Sequence, residues 1–192
     1  MKKLLLLFTV FVVFVSCNKD DDPTPEPQIS EIDKLPPATQ IGKNTVGCLI
    51  NGKALLPSGQ LSGISNPYCG YFQDKFSLVF SVVKDNDNIK GNGTESISVY
   101  SSNIILQEGN TYVLLTENSD HSGKYRIFKR NDYQIYGTTN EITGELYINK
   151  LDKNNNIISG TFWFDAVDEQ GKRVEIREGR FDMKFEGWAG KN

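Results

Sequence analysis

In Arg180-Phe181-Asp182-Met183-Lys184-Phe185-Glu186, apolar and charged side chains alternate without a break. Successive residues of an extended chain point to opposite faces, so this stretch predicts a strand with one face in a core and the other in water. Val174 and Ile176 against Glu175 and Arg177 repeat the pattern. From about residue 40 onward this period-two alternation recurs, and no window shows convincing apolar spacing at i, i+3, i+4 and i+7. Val46, Cys48 and Ile50 share one face, Asn51-Gly52 follows, and residues 53–56 return. Asn-Gly between two short apolar runs predicts a hairpin, because both turn positions need positive φ. Further strands are expected over 76–83, 96–100, 111–116, 124–130, 133–137, 143–150, 157–167, 173–178 and 180–186. The breaks between them are rich in Asn, Asp and Gly, the residues that turns favour. About ten strands with short connections predict an all-β domain, either an antiparallel β-sandwich or a flattened up-and-down barrel. All eighteen aromatic residues beyond the first 16 lie in this body, enough bulk for one core.

Charge excludes one class of function. The 192 residues carry a net −3, and setting aside the first 16 lowers Lys+Arg from 21 to 19 against 24 Asp+Glu, a net −5. A sequence-independent nucleic-acid binder needs a cationic surface, so no nucleic-acid partner is expected. One His and no Cys/His ligand series speak against a structural zinc site, and no cofactor motif is present.

The N-terminus predicts location. Lys2 and Lys3 precede residues 4–15, which are apolar except for Thr9. Twelve residues of helix reach about 18 Å, short of the roughly 30 Å hydrocarbon core, which suits a signal segment better than a permanent span. Phe14-Val15-Ser16-Cys17 follows. This resembles the lipobox of bacterial lipoproteins, and the resemblance implies cleavage between Ser16 and Cys17 with fatty chains on Cys17. An ordinary secretory signal is the competing reading. Residues 18–37 then hold six acids, two lysines and five of the seven prolines. They read as an extended spacer, reaching about 60 Å at about 3.1 Å per residue. Within it, Lys19-Asp20-Asp21-Asp22 is similar to the export signal of Bacteroidota lipoproteins, which implies an outer-membrane, surface-exposed location. A periplasm-facing anchor is the alternative. The expected organisation is a signal peptide over 1–16, a lipidated Cys17 and tether over 17–38, one β domain over 39–188 and a tail over 189–192.

Two further stretches carry a family resemblance. The run from Thr39-Gln40-Ile41-Gly42-Lys43 to Asn51-Gly52-Lys53 looks like the opening of a family of small Bacteroidota lipoproteins. Ile158-Ser159-Gly160-Thr161-Phe162-Trp163-Phe164 with Glu178-Gly179-Arg180-Phe181-Asp182 looks like its closing hairpins. That family is a domain of unknown function, so the resemblance implies fold and location and no catalytic residues.

The remaining candidates for chemistry are few. Cys48 and Cys69 could close a 21-residue loop, a constraint of about 3 kcal/mol, or could be two buried free thiols. Ser119, Asp120 and His121 sit together, but residues adjacent in one turn rarely converge on one substrate atom, and a solvated loop is expected. Asp85-Asn86-Asp87 and 152–156 lack the Gly and Glu that a calcium hand needs, so they read as turns and no metal is expected. Glu175, Glu178, Asp182 and Glu186 interleave with Arg173, Arg177, Arg180 and Lys184, a pattern of surface ion pairs more than of a paired-carboxylate catalyst. Trp163 lies between Phe162 and Phe164, so alternation points it away from them. An outward Trp163, like Trp188, Tyr68 or Tyr71, could stack on a sugar or protein partner. A strand covered on both faces is the other arrangement. The expectation is therefore a membrane-tethered, non-enzymatic binding module whose ligand is a glycan, a peptide or a protein. A hydrolase or enzyme inhibitor on the same scaffold is the alternative.

Overall fold

The computed structural model describes residues 29–60, 63–83, 93–129 and 132–187. They form one all-β domain of eleven strands: β1 (Thr45–Ile50), β2 (Lys53–Leu55), β3 (Tyr68–Phe72), β4 (Lys75–Val83), β5 (Thr94–Ser101), β6 (Thr111–Leu114), β7 (His121–Lys129), β8 (Asp132–Gly137), β9 (Gly144–Asp152), β10 (Ile157–Val167) and β11 (Arg173–Lys184). A 3-10 turn at Ile32–Lys34 is the only helical element among the described residues. Every ladder is antiparallel. The order is β2-β1-β11-β10-β8-β7-β5-β4-β3, with β9 also on β10 and β6 on β9.

The path ends at β2 and β3, so the sheet is not closed into a barrel. It folds over one core instead. Phe80 on β4 meets Phe162 on β10 at 6.4 Å between ring centroids, and Phe76 meets Phe181 on β11 at 6.1 Å. Tyr71, Phe76, Leu78, Phe80, Ile97, Leu146, Ile158 and Phe164 are almost inaccessible. The two edges of the fold approach at one parallel bridge, Gly70 to Glu186. There Tyr71 N–H donates to the Glu186 carbonyl at 2.8 Å, and Glu186 N–H donates to the Cys69 carbonyl at 2.8 Å.

The expected hairpin at Asn51-Gly52 is present, with φ of 47° and 80°. Strand 68–72 was not anticipated, because its Gly70 breaks the apolar pattern. The two expected strands 173–178 and 180–186 are one, β11. Its inward residues are Val174 and Ile176 before Glu178, and Phe181 and Met183 after it, so the parity changes within the strand. A bulge absorbs the extra residue. Phe162 pairs with Gly179 and Phe164 with Ile176 on one side, while Gly47 pairs with Arg180 and Leu49 with Arg177 on the other. Glu178 sits at φ 55°, the backbone state such a bulge uses. Gly179 cannot carry a Cβ, which would lie 2.4 Å from the Phe162 carbonyl oxygen.

The ordered domain reaches further back than the expected boundary at 39. Leu35 is buried, and Leu35 and Pro36 close over Gly47 of β1. Ala54 N–H donates to the Glu31 carboxylate at 2.7 Å. The last part of the expected tether is therefore folded onto the β1–β2 hairpin. Asp182 then pins residues 39–43. Its carboxylate accepts from Thr39 Oγ1 at 2.6 Å and from the N–H groups of Ile41, Gly42 and Lys43 at 3.1, 2.7 and 3.2 Å. Alternation assigned Asp182 to water, but this covering segment leaves it 1% exposed. Burial alone raises its pKa; the hydroxyl and three amides outweigh that and hold it below the usual carboxylate range.

Candidate functional site: an aromatic face beside the β11 bulge

Trp163 points outward, as alternation requires, and is 37% exposed. The register shows what surrounds it. Val113, Glu145 and Trp163 form one row across β6, β9 and β10, and Thr111, Tyr147, Thr161 and Arg180 form the next, ending on β11. Val113 and Tyr147 are exposed at 49% and 36%, so three large apolar side chains share one face. Tyr147, Val113 and Glu145 were not singled out in the sequence. Each lies in a predicted strand, but only the pairing of β6, β9 and β10 brings them to Trp163.

The indole is held on two sides. Its Nε1–H donates to Glu145 Oε2 at 3.2 Å. The Arg177 guanidinium lies over the ring, 5.5 Å from its centroid, within cation–π range. Arg177 is itself fixed. It pairs with Asp165 at 2.8 Å and donates to the carbonyls of Ile176 at 3.0 Å and Phe164 at 3.3 Å. Asp165 also takes Arg173. Burial pushes the Asp165 carboxyl up, and the Arg173 and Arg177 guanidiniums more than reverse it, so it stays charged below the usual range. The bulge sets Arg177 and Glu178 opposite Trp163, and Arg180 pairs with Glu178 at 3.4 Å. A hollow of about 540 Å³ results, lined by Ala38, Thr161, Trp163, Arg177, Glu178 and Arg180 among others. Chemically it offers an aromatic plane, guanidiniums, carboxylates and a hydroxyl at one surface.

The other candidates fall elsewhere. Ser16, Cys17, Lys19, Asp20, Asp21, Asp22 and Trp188 lie outside the described residues, as does Asp85-Asn86-Asp87. Cys48 and Cys69 are not bonded to each other; both are free thiols buried in the core, where burial pushes their pKa far up. That corrects the disulfide reading in favour of thiols packed as small hydrophobes. Tyr71 is also not an outward ring. It is fully buried, and its hydroxyl accepts from Leu106 N–H at 2.8 Å. Tyr68 is on the outer face, and burial, with Glu186 nearby, raises its pKa.

His121 opens β7 rather than lying in a loop. Its Nδ1 is 2.9 Å from Ser101 Oγ, and its ring meets Tyr112 edge-on at 5.2 Å. Burial lowers its pKa. Asp120 binds Asn103, and Ser119 Oγ–H lies 2.6 Å from the carbonyls of Thr116 and His121, so the three residues do not converge. Asp152 accepts from the N–H groups of Asn154 and Asn155, which makes 152–156 a turn. Of the four late carboxylates, Glu178 pairs with Arg180, Glu175 lies 3.8 Å from Arg177, and Asp182 is the buried pin. Among the described residues no group of three or more His, Cys, Asp or Glu is placed to hold a metal, and no helix is long and apolar enough to cross a membrane.

No curated protein and no solved structure matches this chain. One family profile does, that of a Domain of unknown function (DUF6252), over residues 81–183. The match runs from the end of β4 through almost all of β11 and includes Glu145, Tyr147, Trp163, Arg177 and Asp182. It spans more than half of the chain, which therefore belongs to the DUF6252 family.

Proposed function

We propose that this protein is a non-enzymatic glycan-binding module, tethered to the outer membrane by lipid on Cys17 and displayed at the cell surface. The observation that carries the binding half is Trp163: an exposed indole locked by Glu145 at its edge and Arg177 at its face, with Tyr147 on the neighbouring strand. A sugar ring has an apolar C–H face that stacks on aromatic planes. Its hydroxyls pair with carboxylates and guanidiniums, and here both groups stand within the aromatic patch. The core of a protein–protein interface, in contrast, is depleted of Asp and Glu, whereas Glu145 and Glu178 both stand in this patch. A fixed side chain also lowers the ordering cost of binding. The anchoring half rests on Ser16-Cys17 after an apolar run and on the acidic run that follows. Two or three acyl chains hold a domain stably where one does not.

The test is a glycan array with the full chain and its Trp163→Ala and Tyr147→Ala variants, each shown folded by circular dichroism. The expected result is saturable binding that falls at least tenfold in both variants. Absence of binding, or binding that both variants retain, sinks the glycan reading. Mass spectrometry of Cys17 after growth with labelled palmitate tests the anchor, and protease shaving of intact cells tests display. An unacylated N-terminus or full protection would remove those halves separately.

A further inference from the structure

A second hollow, of about 620 Å³, lies on the outer face of β3, β4 and β5. Tyr68, Ser77, Val79, Tyr100 and Glu186 line it, with Ile64 at the rim. The register builds its floor: Tyr68 faces Val79, and Gly70 faces Ser77, which faces Tyr100. The Tyr68 ring lies down along its own strand over Gly70. A Cβ on Gly70 would stand 2.4 Å from the Tyr68 hydroxyl oxygen and 2.9 Å from Cζ. Glycine here is thus the bed for the ring.

Glu186 is set beside it by the parallel bridge. Two backbone hydrogen bonds to β3 fix its main chain, and Phe185 points into the core, which sends the Glu186 side chain to the outer face. Among the described residues its carboxylate has no ion-pair partner, and no lysine or arginine lines the hollow. The residue that follows the wall at 63–65 is tied down as well. The Asn66 side chain accepts from Ser81 N–H at 2.9 Å and donates to the carbonyls of Ser81 at 2.9 Å and Gly59 at 3.0 Å, tying its loop onto β4.

We propose that this hollow binds an organic ammonium group, with the Tyr68 and Tyr100 rings against its alkyl surface and Glu186 as the counter-charge. Aromatic faces attract cations through the ring quadrupole, and quaternary ammonium groups are held by aromatic cages in this way. A mostly apolar hollow with one charged side chain is the usual composition of a small-ligand site.

The experiment titrates the full chain with free choline, with its neutral isostere 3,3-dimethylbutan-1-ol, and with phosphatidylcholine vesicles, following backbone amide signals of β3 and Glu186 or vesicle co-sedimentation. The expected result is saturable binding of choline, at least tenfold weaker for the isostere. Glu186→Gln and Tyr68→Leu each lose about tenfold, while Tyr68→Phe stays within threefold. Gly70→Ala removes no ligand-contacting group but displaces the ring, so it loses binding while its melting temperature holds. Binding to vesicles alone, with the same dependence on Glu186, assigns the ammonium to a lipid headgroup. Equal binding of the isostere, no binding in either arm, or unchanged affinity in Glu186→Gln and Gly70→Ala overturns the proposal. Trp163→Ala leaves this binding intact, so its outcome is separate from that of the aromatic face on β9 and β10.

Discussion

Asp165 and Asp182 lie on neighbouring strands, both on the face that alternation assigns to water, and both are almost inaccessible. Their surroundings differ. Asp165 is met by two guanidiniums, one of which goes on to hold Trp163. Asp182 is met by a hydroxyl and three backbone amides of residues 39–43. A carboxylate among side chains organises a surface; a carboxylate among amides organises the chain. The first can be lost at the expense of the aromatic face, the second only at the expense of the fold's N-terminal cover.

This contrast predicts a ranking. Asp182→Ala leaves three amides without their acceptor and is expected to cost about 3 kcal/mol, read by urea unfolding. A loss below about 1 kcal/mol would mean that residues 39–43 contribute little. Acid comes next. Both carboxylates titrate below the usual range when folded, so their stabilisation is present above the unfolded value of about 4 and is lost as the pH falls through the folded values. Asp182→Asn should therefore flatten the decline in stability below about pH 4. A decline as steep as in the parent would assign the acid limb to other groups. Asp165→Asn is expected to cost about 1 kcal/mol, because Arg173 and Arg177 are partly exposed and turn to water. It should also shift Trp163 fluorescence as Arg177 is released; an unchanged spectrum breaks the link from carboxylate to indole. Trp163→Ala should move stability by no more than about 0.5 kcal/mol, which calorimetry can check. A larger loss would make the indole a structural residue.

Much of the fold was legible because the strands alternate. Val46-Cys48-Ile50 with Asn51-Gly52, and Phe181-Met183-Phe185, face the core as their spacing requires. What escaped was information that lives between strands. Asp182 looks wet until residues 39–43 are placed on it. Strand β3 hides behind Gly70, whose missing side chain makes sense only beneath the Tyr68 ring. Glu178-Gly179 looks like a turn, since Gly is common at both turns and bulges. At the candidate site, Trp163 was identifiable from its flanking phenylalanines. Tyr147 and Glu145 were not, because the register between β9 and β10 cannot be read from either strand alone.

The parity change in β11 has a consequence for how this chain tolerates alteration. Its two neighbours run straight past the bulge, so β11 alone holds the phase of both halves of the sheet. Removing one residue near Glu178 would give a smoother ribbon and a worse protein: either Val174 and Ile176 would rotate out to solvent or Phe181 and Met183 would. A change of length at this spot is thus costly, and so is any side chain in place of the hydrogen at Gly179.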